Sequence, residues 1–229
     1  MLNAIQHIGK GIAHLFFPRL CEGCKKPLLP KETVLCIGCE LKLPFTSSLT
    51  DNEAVQKLSG LFPFIHAEAL LLFSKEGIAQ HLMHQFKYRN KQEIGRHLGA
   101  ELGKKIKEKN QQADVLIPIP LHKKKEYQRG FNQAKLICEG MAEVLQIPIN
   151  DEAVQRIRFT TSQTDKSREE RMENVKDCFK VIDPTSLEGK HILLVDDVLT
   201  TGATLSSCAG ELLKLEGVQV SVATIGLAV

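Results

Sequence analysis

The stretch that decides the fold is ILLVDDVLTTGATL, residues 192–205. Its apolar start runs directly into two carboxylates, Asp196 and Asp197, and then into a short hydroxyl-rich segment. A continuous apolar run bounded by turn residues is typical of a buried strand, and the following segment has the composition of a helix start. Ligands of open α/β sheets sit beyond the carboxyl ends of the strands, so this position predicts a binding site.

The segment after the strand is predicted to bind a phosphate through five residues: Thr200, Thr201, Gly202, Ala203 and Thr204. The first backbone N–H groups of a helix lack partners within it and the helix dipole is positive there, so a dianionic phosphate binds well. Asp196 and Asp197, one sugar length away, can accept hydrogen bonds from two ribose hydroxyls and help to hold Mg²⁺. The alternative is an ordinary turn whose Asp and Thr residues only cap a helix.

Strand-like and helix-like stretches alternate along most of the chain. Strands are predicted at 67–73, 114–119, 191–195 and 218–225, and helices at 78–86, 94–107, 132–145 and 202–215. Such alternation predicts an α/β fold with a mainly parallel sheet flanked by helices. A polar run at 46–52 suggests a linker or surface loop. We therefore predict an N-terminal helix with a small cysteine-rich module at 1–50 and a larger domain at 53–229.

Four cysteines near the start of the chain stand in two Cys-x2-Cys pairs: Cys21, Cys24, Cys36 and Cys39. This spacing brings four thiolates to a tetrahedron and predicts a structural Zn²⁺ site, which would supply much of the folding free energy of a small module. A pair of disulfides is the alternative, and a reducing cytoplasm disfavours it. The other cysteines, Cys138, Cys178 and Cys208, are predicted to be buried core residues.

Composition places the chain among ordinary globular proteins. Its 229 residues are 43% hydrophobic and 25% charged, with a formal net charge of +3, which excludes a disordered or fibrous class and does not by itself indicate nucleic-acid binding. Residues 1–17 have helical spacing, but they lack the uninterrupted apolar run of a signal peptide or a membrane span. We therefore expect no membrane span and a cytoplasmic location.

Two further segments concentrate positive charge. The first is PIPLHKKKEYQRGFNQA, residues 118–134, which follows a predicted strand. Its cations could neutralise a leaving pyrophosphate, contact a nucleic-acid backbone, or form an exposed basic loop. The second runs from Arg156 to Arg171, and its arginine and hydroxyl residues suit a mobile loop that closes over a charged substrate.

In their order along the chain, these motifs resemble the ComF family of competence-associated, phosphoribosyltransferase-like proteins. The matching pieces are FPRLCEGC from Phe17, FKY at 86–88, PIPLH at 118–122, RGFNQA at 129–134, Arg156 with Thr160 and Gln163, Arg171 with NV at 174–175, and VDDVLTTGAT at 195–204. The resemblance implies a type I phosphoribosyltransferase fold with an N-terminal zinc finger. It also implies handling of incoming single-stranded DNA in natural transformation, with competence-machinery proteins as further partners.

The same resemblance implies phosphoribosyl pyrophosphate as the ligand, with Mg²⁺. Asp196 and Asp197 would lie at the ribose 2′ and 3′ hydroxyls, and the threonine loop, residues 200–204, would surround the 5′-phosphate. The further candidates for the pyrophosphate and the closing loop are Lys87, Tyr88, His122, Lys123, Arg129, Arg156, Thr160, Gln163 and Arg171.

Three functions remain open at this point. The first is an active phosphoribosyltransferase that displaces pyrophosphate from C1 of the ribose, with His122 as a candidate base and an unassigned acceptor. The second is a non-catalytic protein that binds single-stranded DNA under control of the ligand, with an affinity that falls with salt. The third is a scaffold whose zinc module recruits partners.

Overall fold

The computed structural model describes residues 18–47, 51–74, 76–159, 175 and 177–228. Within these ranges the helices are α1 (Ile37–Glu40), α2 (Asp51–Leu58), α3 (Ile78–Tyr88), α4 (Gln92–Glu108), α5 (Lys123–Arg129), α6 (Gln133–Leu145) and α7 (Ala203–Leu212). The strands are β1 (Ala67–Phe73), β2 (Val115–Pro118), β3 (Val154–Arg156), β4 (Phe179–Val181), β5 (His191–Leu199) and β6 (Gln219–Ala228).

The centre of the molecule is a four-stranded sheet in the order β1-β6-β5-β2. All three of its strand pairings are parallel, and β5 and β6 lie in the middle. A separate antiparallel pair is formed by β3 and β4. The predicted fold class, a mainly parallel sheet flanked by helices, is confirmed.

Alternate residues of β5 face two hydrophobic cores on opposite sides of the sheet. Leu193 and Val195 pack with apolar residues of α3, α4 and α6. Ile192 and Leu194 pack with residues of α2 and α7. A strand that is apolar at every position is what a sheet covered on both faces requires.

Three segments differ from the pattern that the sequence predicts. Strand β5 does not end before the carboxylates but continues to Leu199, because Asp196 and Val198 keep their pairing with β6. The basic segment forms helix α5, with Gly130 as its left-handed C-cap at φ 81°, so it is not a loop. Within the polar run at 46–52, Thr46 N–H donates to the carbonyl oxygen of Leu70 in β1 (2.9 Å). The start of this run therefore lies beside β1.

The four-cysteine segment shares its apolar core with the sheet. Cys21, Cys39 and Leu43 belong to the same buried cluster as Leu82 and Phe86 of α3. The division of the chain at 50–53 stays a prediction. The three scattered cysteines at 138, 178 and 208 are fully buried, as predicted. Among the described residues, none of the helices combines the length and the apolar composition that crossing a bilayer requires.

Candidate functional site

The two adjacent carboxylates at the carboxyl end of β5 point to opposite faces of the sheet, because successive side chains of a strand alternate. Asp197 Oδ2 lies 2.7 Å from Lys87 Nζ at the end of α3. Asp196 lies on the side of α7, where it interacts electrostatically with Arg156 and Cys208. Both side chains are half-buried. One carboxylate of the pair therefore lies on each face of the sheet, near the carboxyl end of β5.

Asp196 is the most perturbed carboxyl of this site. Burial and, after it, the charge of the neighbouring Asp197 raise its pKa from 3.8 to about 7, although a hydrogen bond from Asp197 N–H and the charges of Lys87 and Arg156 oppose the shift. The hydrogen bond runs from Asp197 N to Asp196 Oδ1 at 2.8 Å. Asp196 can therefore hold a proton near neutral pH, and a ligand hydroxyl that donates to its ionised form would favour release of that proton.

The hydroxyl-rich loop leads into the N-terminus of α7. Gly202 has a φ of 77°, a left-handed conformation that glycine adopts without strain. A Cβ at this position would come within 2.9 Å of side-chain atoms of Leu58 and Leu61, so the loop lies close against the end of α2. Within the described part of the chain, no side chain caps α7, and its first N–H groups remain available to an anion.

Asp196 and the loop share one small cavity of about 30 Å³, lined also by residues 198–205. All five residues predicted to bind phosphate belong to this lining. The carboxylate and the helix N-terminus therefore face a common space.

Three cations approach the same end of the sheet from α5 and β3. Arg129 places its Cζ 5.8 Å from the centre of the Tyr88 ring, and Arg156 places its Cζ 5.2 Å from that of Phe179. Burial lowers the pKa of Lys125, and the positive charges of Arg156 and Arg129 lower it further. Burial also lowers the pKa of Arg156, which the charge of Asp196 partly offsets. Positive charge is thus concentrated beside the carboxylates.

The four cysteines of the N-terminal module converge as their spacing predicts. Their Sγ atoms lie within 4.8 Å of one another, with Cys24 and Cys36 at 3.6 Å. Four sulfurs at about 2.3 Å from a tetrahedral zinc are about 3.8 Å apart, so the cluster could hold a metal such as zinc. Cys36 N–H also donates to Cys21 Sγ (3.2 Å), a bond that supports a thiolate ligand.

Comparison with known proteins agrees with this geometry. Residues 132–229 match the phosphoribosyl transferase domain family. They include α6, β5, the threonine loop, α7 and β6. This part of the chain is therefore similar to a phosphoribosyl transferase domain.

The relatives of this chain include competence proteins. It is 28% identical to Competence protein F of Haemophilus influenzae over 212 residues, which cover 90% of this chain and 89% of that protein. It is 33% identical to DNA utilization protein YhgH of Escherichia coli K12 over 138 residues, 58% of this chain and 60% of YhgH. It is 40% identical to Competence protein ComFC of Bacillus subtilis over 101 residues, 44% of this chain and 38% of ComFC. The resemblance to the ComF family is confirmed.

The remaining predicted residues lie on α5 or outside the described residues. His122 is the N-cap of α5, where its Nδ1 accepts from Lys124 N–H (3.2 Å), and its ring packs against Phe159 at 5.3 Å. Its observed contacts are therefore those of a helix cap, and its role as a base stays a prediction. Lys123 is exposed on the first turn of α5. The candidates Thr160, Gln163 and Arg171 lie outside the described residues.

Sequence reasoning missed one buried side chain beside these cations. Gln133 is only 2% exposed, and its Oε1 accepts a hydrogen bond from Arg129 Nη1 (2.8 Å). The signal that could have indicated it was its place in the RGFNQA motif, four residues after Arg129 and at a helix start. Residues four apart across a helix junction can meet on one face.

Proposed function

We propose that this chain binds a phosphoribosyl pyrophosphate-type ligand with Mg²⁺ at the carboxyl end of β5, and that it acts in DNA uptake. The observation that carries the ligand assignment is the shared cavity, in which Asp196 faces the uncapped N-terminus of α7. A sugar phosphate needs an anion-binding helix N-terminus and an acceptor for its hydroxyls, and these two groups must lie one sugar length apart. The relatives named for competence and DNA utilization support the cellular role.

Each part of the ligand has a candidate partner. The 5′-phosphate would bind the loop at 200–204, and the ribose hydroxyls would donate to Asp196 and Asp197. Lys87 already contacts Asp197 at 2.7 Å and would lie close to a ligand at that carboxylate. The two carboxylates supply the oxygen donors that Mg²⁺ prefers, so the donor set fits this ion. Bound Mg²⁺ would neutralise diphosphate charge.

The reaction class that fits the site is displacement of pyrophosphate from C1 of the ribose by an acceptor. Positioning of the sugar and neutralisation of the leaving diphosphate supply most of the acceleration in such a site. Lys125, Arg129 and Arg156 are the groups of α5 and β3 that would neutralise it. The four-cysteine cluster would hold a structural Zn²⁺, because a closed set of four sulfurs leaves no open position for chemistry.

Isothermal titration with phosphoribosyl pyrophosphate and Mg²⁺ tests the assignment. We expect the double variant Asp196→Asn, Asp197→Asn to lose measurable binding while it keeps its metal content, because neither aspartate belongs to the four-cysteine cluster. The matched control is Glu188→Gln with Glu216→Gln, which makes the same charge change at exposed positions near the amino end of β5. Unchanged affinity in the aspartate variant would remove the ligand from this cavity.

A second function, contact with single-stranded DNA, is favoured by the surface of α5. Tyr127 is 92% exposed and Tyr88 63% exposed, and they lie on or beside a helix that carries three consecutive lysines. Exposed aromatic rings among cations can stack bases while the cations bind phosphates. Basic groups of this kind give an affinity that falls steeply with salt.

Fluorescence anisotropy with a labelled oligonucleotide between 50 and 200 mM salt tests this contact. Tyr127→Ala and Lys124→Gln are expected to weaken binding several-fold each, whereas Lys190→Gln, exposed at the other end of the sheet, is expected to have little effect. Equal losses for all three variants would indicate a nonspecific charge effect rather than a surface on α5. If labelled DNA does not bind, the scaffold function is favoured instead. Pull-down of competence-machinery proteins by chains with and without the four cysteines would test that function.

A further inference from the structure

The motif RGFNQA at 129–134 fixes the junction between α5 and α6. Gly130 ends α5 in a left-handed conformation with a φ of 81°. Phe131 stacks on Phe86 of α3, with ring centres 5.8 Å apart. Asn132 caps α6 by accepting from Ala134 N–H (2.9 Å), and its Nδ2 donates to the carbonyl of Ile119 just beyond β2 (3.1 Å). The first turn of α6 therefore has a defined place at the carboxyl end of the sheet.

Gln133 lies in that first turn and is 2% exposed. Its Oε1 accepts a hydrogen bond from Arg129 Nη1 at 2.8 Å. Its Nε2 has no hydrogen-bond partner among the described residues. A buried amide donor without a partner costs free energy, so such a group is retained where it has a use.

Arg129 lies beside a like charge, because Lys125 is close enough to interact electrostatically with both Arg129 and Arg156. The centre of the Tyr88 ring lies 5.8 Å from the guanidinium carbon, and the side-chain amide oxygen of Gln133 accepts a hydrogen bond from the guanidinium. These two contacts fix the direction of a planar group that can bind two anionic oxygens at once.

We propose that Gln133 is a positioning residue that holds the Arg129 guanidinium toward the diphosphate of the ligand and thereby sets the preference for a diphosphate at C1 of the ribose. This inference rests on the proposed function. Lys125, Arg129 and Arg156 carry more positive charge than the single 5′-phosphate at the loop of 200–204 would balance. A diphosphate at C1 would supply the additional negative charge. The 5′-phosphate and the ribose have their own partners at β5 and α7, so loss of Gln133 should not affect them.

The test compares two ligands, phosphoribosyl pyrophosphate with Mg²⁺ and ribose 5-phosphate, by isothermal titration. Gln133→Leu keeps most of the side-chain volume and removes the acceptor. We expect it to weaken binding of the diphosphate ligand by about tenfold, the usual scale for a hydrogen bond to a charged group, and to leave ribose 5-phosphate unchanged. Arg129→Ala should show the same pattern, and the double variant should lose little more than either single variant.

Arg129→Lys provides a second measurement that does not disturb the core, because Arg129 is only partly buried on α5. It keeps the charge and loses the planar fork, so it should also weaken the diphosphate ligand selectively. Equal weakening of both ligands by Gln133→Leu, or additive losses in the double variant, would overturn the positioning role. A wild-type chain that binds neither ligand would overturn the proposed function itself, and this inference with it.

Discussion

Replacing Asp196 by asparagine is expected to stabilise the fold at pH 8 while it removes an acceptor for the ligand. The reason is that Asp196 is half-buried beside Asp197, and this environment raises its pKa from 3.8 to about 7. Above that pH the folded protein holds an ionised carboxylate in a place that disfavours the charge. Asparagine has nearly the same shape and carries no charge.

The size of the effect follows from linkage between proton binding and folding. A carboxyl group whose pKa rises on folding favours the folded state at low pH, and that advantage is lost as the pH rises from the unfolded pKa through the folded one. A change from 3.8 to about 7 corresponds to an upper limit of about 4 kcal/mol for the ionised form. Partial exposure to solvent and relaxation of the loop reduce it, so we expect about 1 to 3 kcal/mol between acidic and alkaline conditions.

Urea denaturation of the wild type and of Asp196→Asn at pH 5 and pH 8 measures this difference. The advantage of the variant should be larger at pH 8 than at pH 5, and titration with phosphoribosyl pyrophosphate should show weaker binding to it at both pH values. Asp197→Asn is the matched control, because it removes the contact with Lys87 and should lower stability instead. A variant no more stable than the wild type at pH 8, or a difference independent of pH, would refute the electrostatic account of this carboxyl.

Three further outcomes are expected. Gly202→Ala should lower the free energy of unfolding by about 2 kcal/mol in chemical denaturation, because φ is 77° and the new Cβ meets two leucine side chains, whereas Gly210→Ala, in open space on α7, should be neutral or stabilising by up to about 1 kcal/mol. Cys24→Ser changes an exposed thiol and should still remove the bound metal and about 2 kcal/mol or more of stability, measured by metal analysis and thermal melting, whereas Cys138→Ala should keep its metal. Lys87→Met should cost about 1 to 2 kcal/mol by leaving Asp197 unpaired and should weaken ligand binding, and Lys87→Arg should restore most of both.

Much of the sheet could be predicted from the sequence because its strands are apolar on both faces. The run at 192–195 has no polar residue, and Glu68, which is itself buried, is the single polar residue of the strand at 67–73, so hydrophobicity alone locates both strands. The extension of β5 through Asp196 and Asp197 could not be predicted in this way. Carboxylates normally indicate the end of a buried strand, and here pairing with β6 overrides that preference.

The candidate site was predictable where it is local in sequence and less so where it is assembled from distant segments. The loop at 200–204 and the helix after it follow one another along the chain, so a phosphate site could be inferred from composition. The contact of Lys87 with Asp197 joins residues 110 positions apart and depends on how α3 packs on the sheet. The faces of the two aspartates depend on the strand continuing past them. The buried position of Gln133 depends on the α5–α6 junction, for which hydrophobic periodicity gives no signal.

The packing of α3 joins the four-cysteine segment to the candidate site. Glu22, beside the first cysteine, contacts Lys25 at 2.5 Å and Lys91 at 2.6 Å, and its carbonyl accepts from Gln85 Nε2 at 2.7 Å in α3. Phe86 of the same helix lies in the core that contains Cys21 and Cys39, and Lys87 follows it directly. A metal held by the cysteines would therefore stabilise the surface against which α3 packs. The direction in which Lys87 meets Asp197 depends on that packing, so the cysteine cluster is part of the scaffold of the site although it lies outside the cavity.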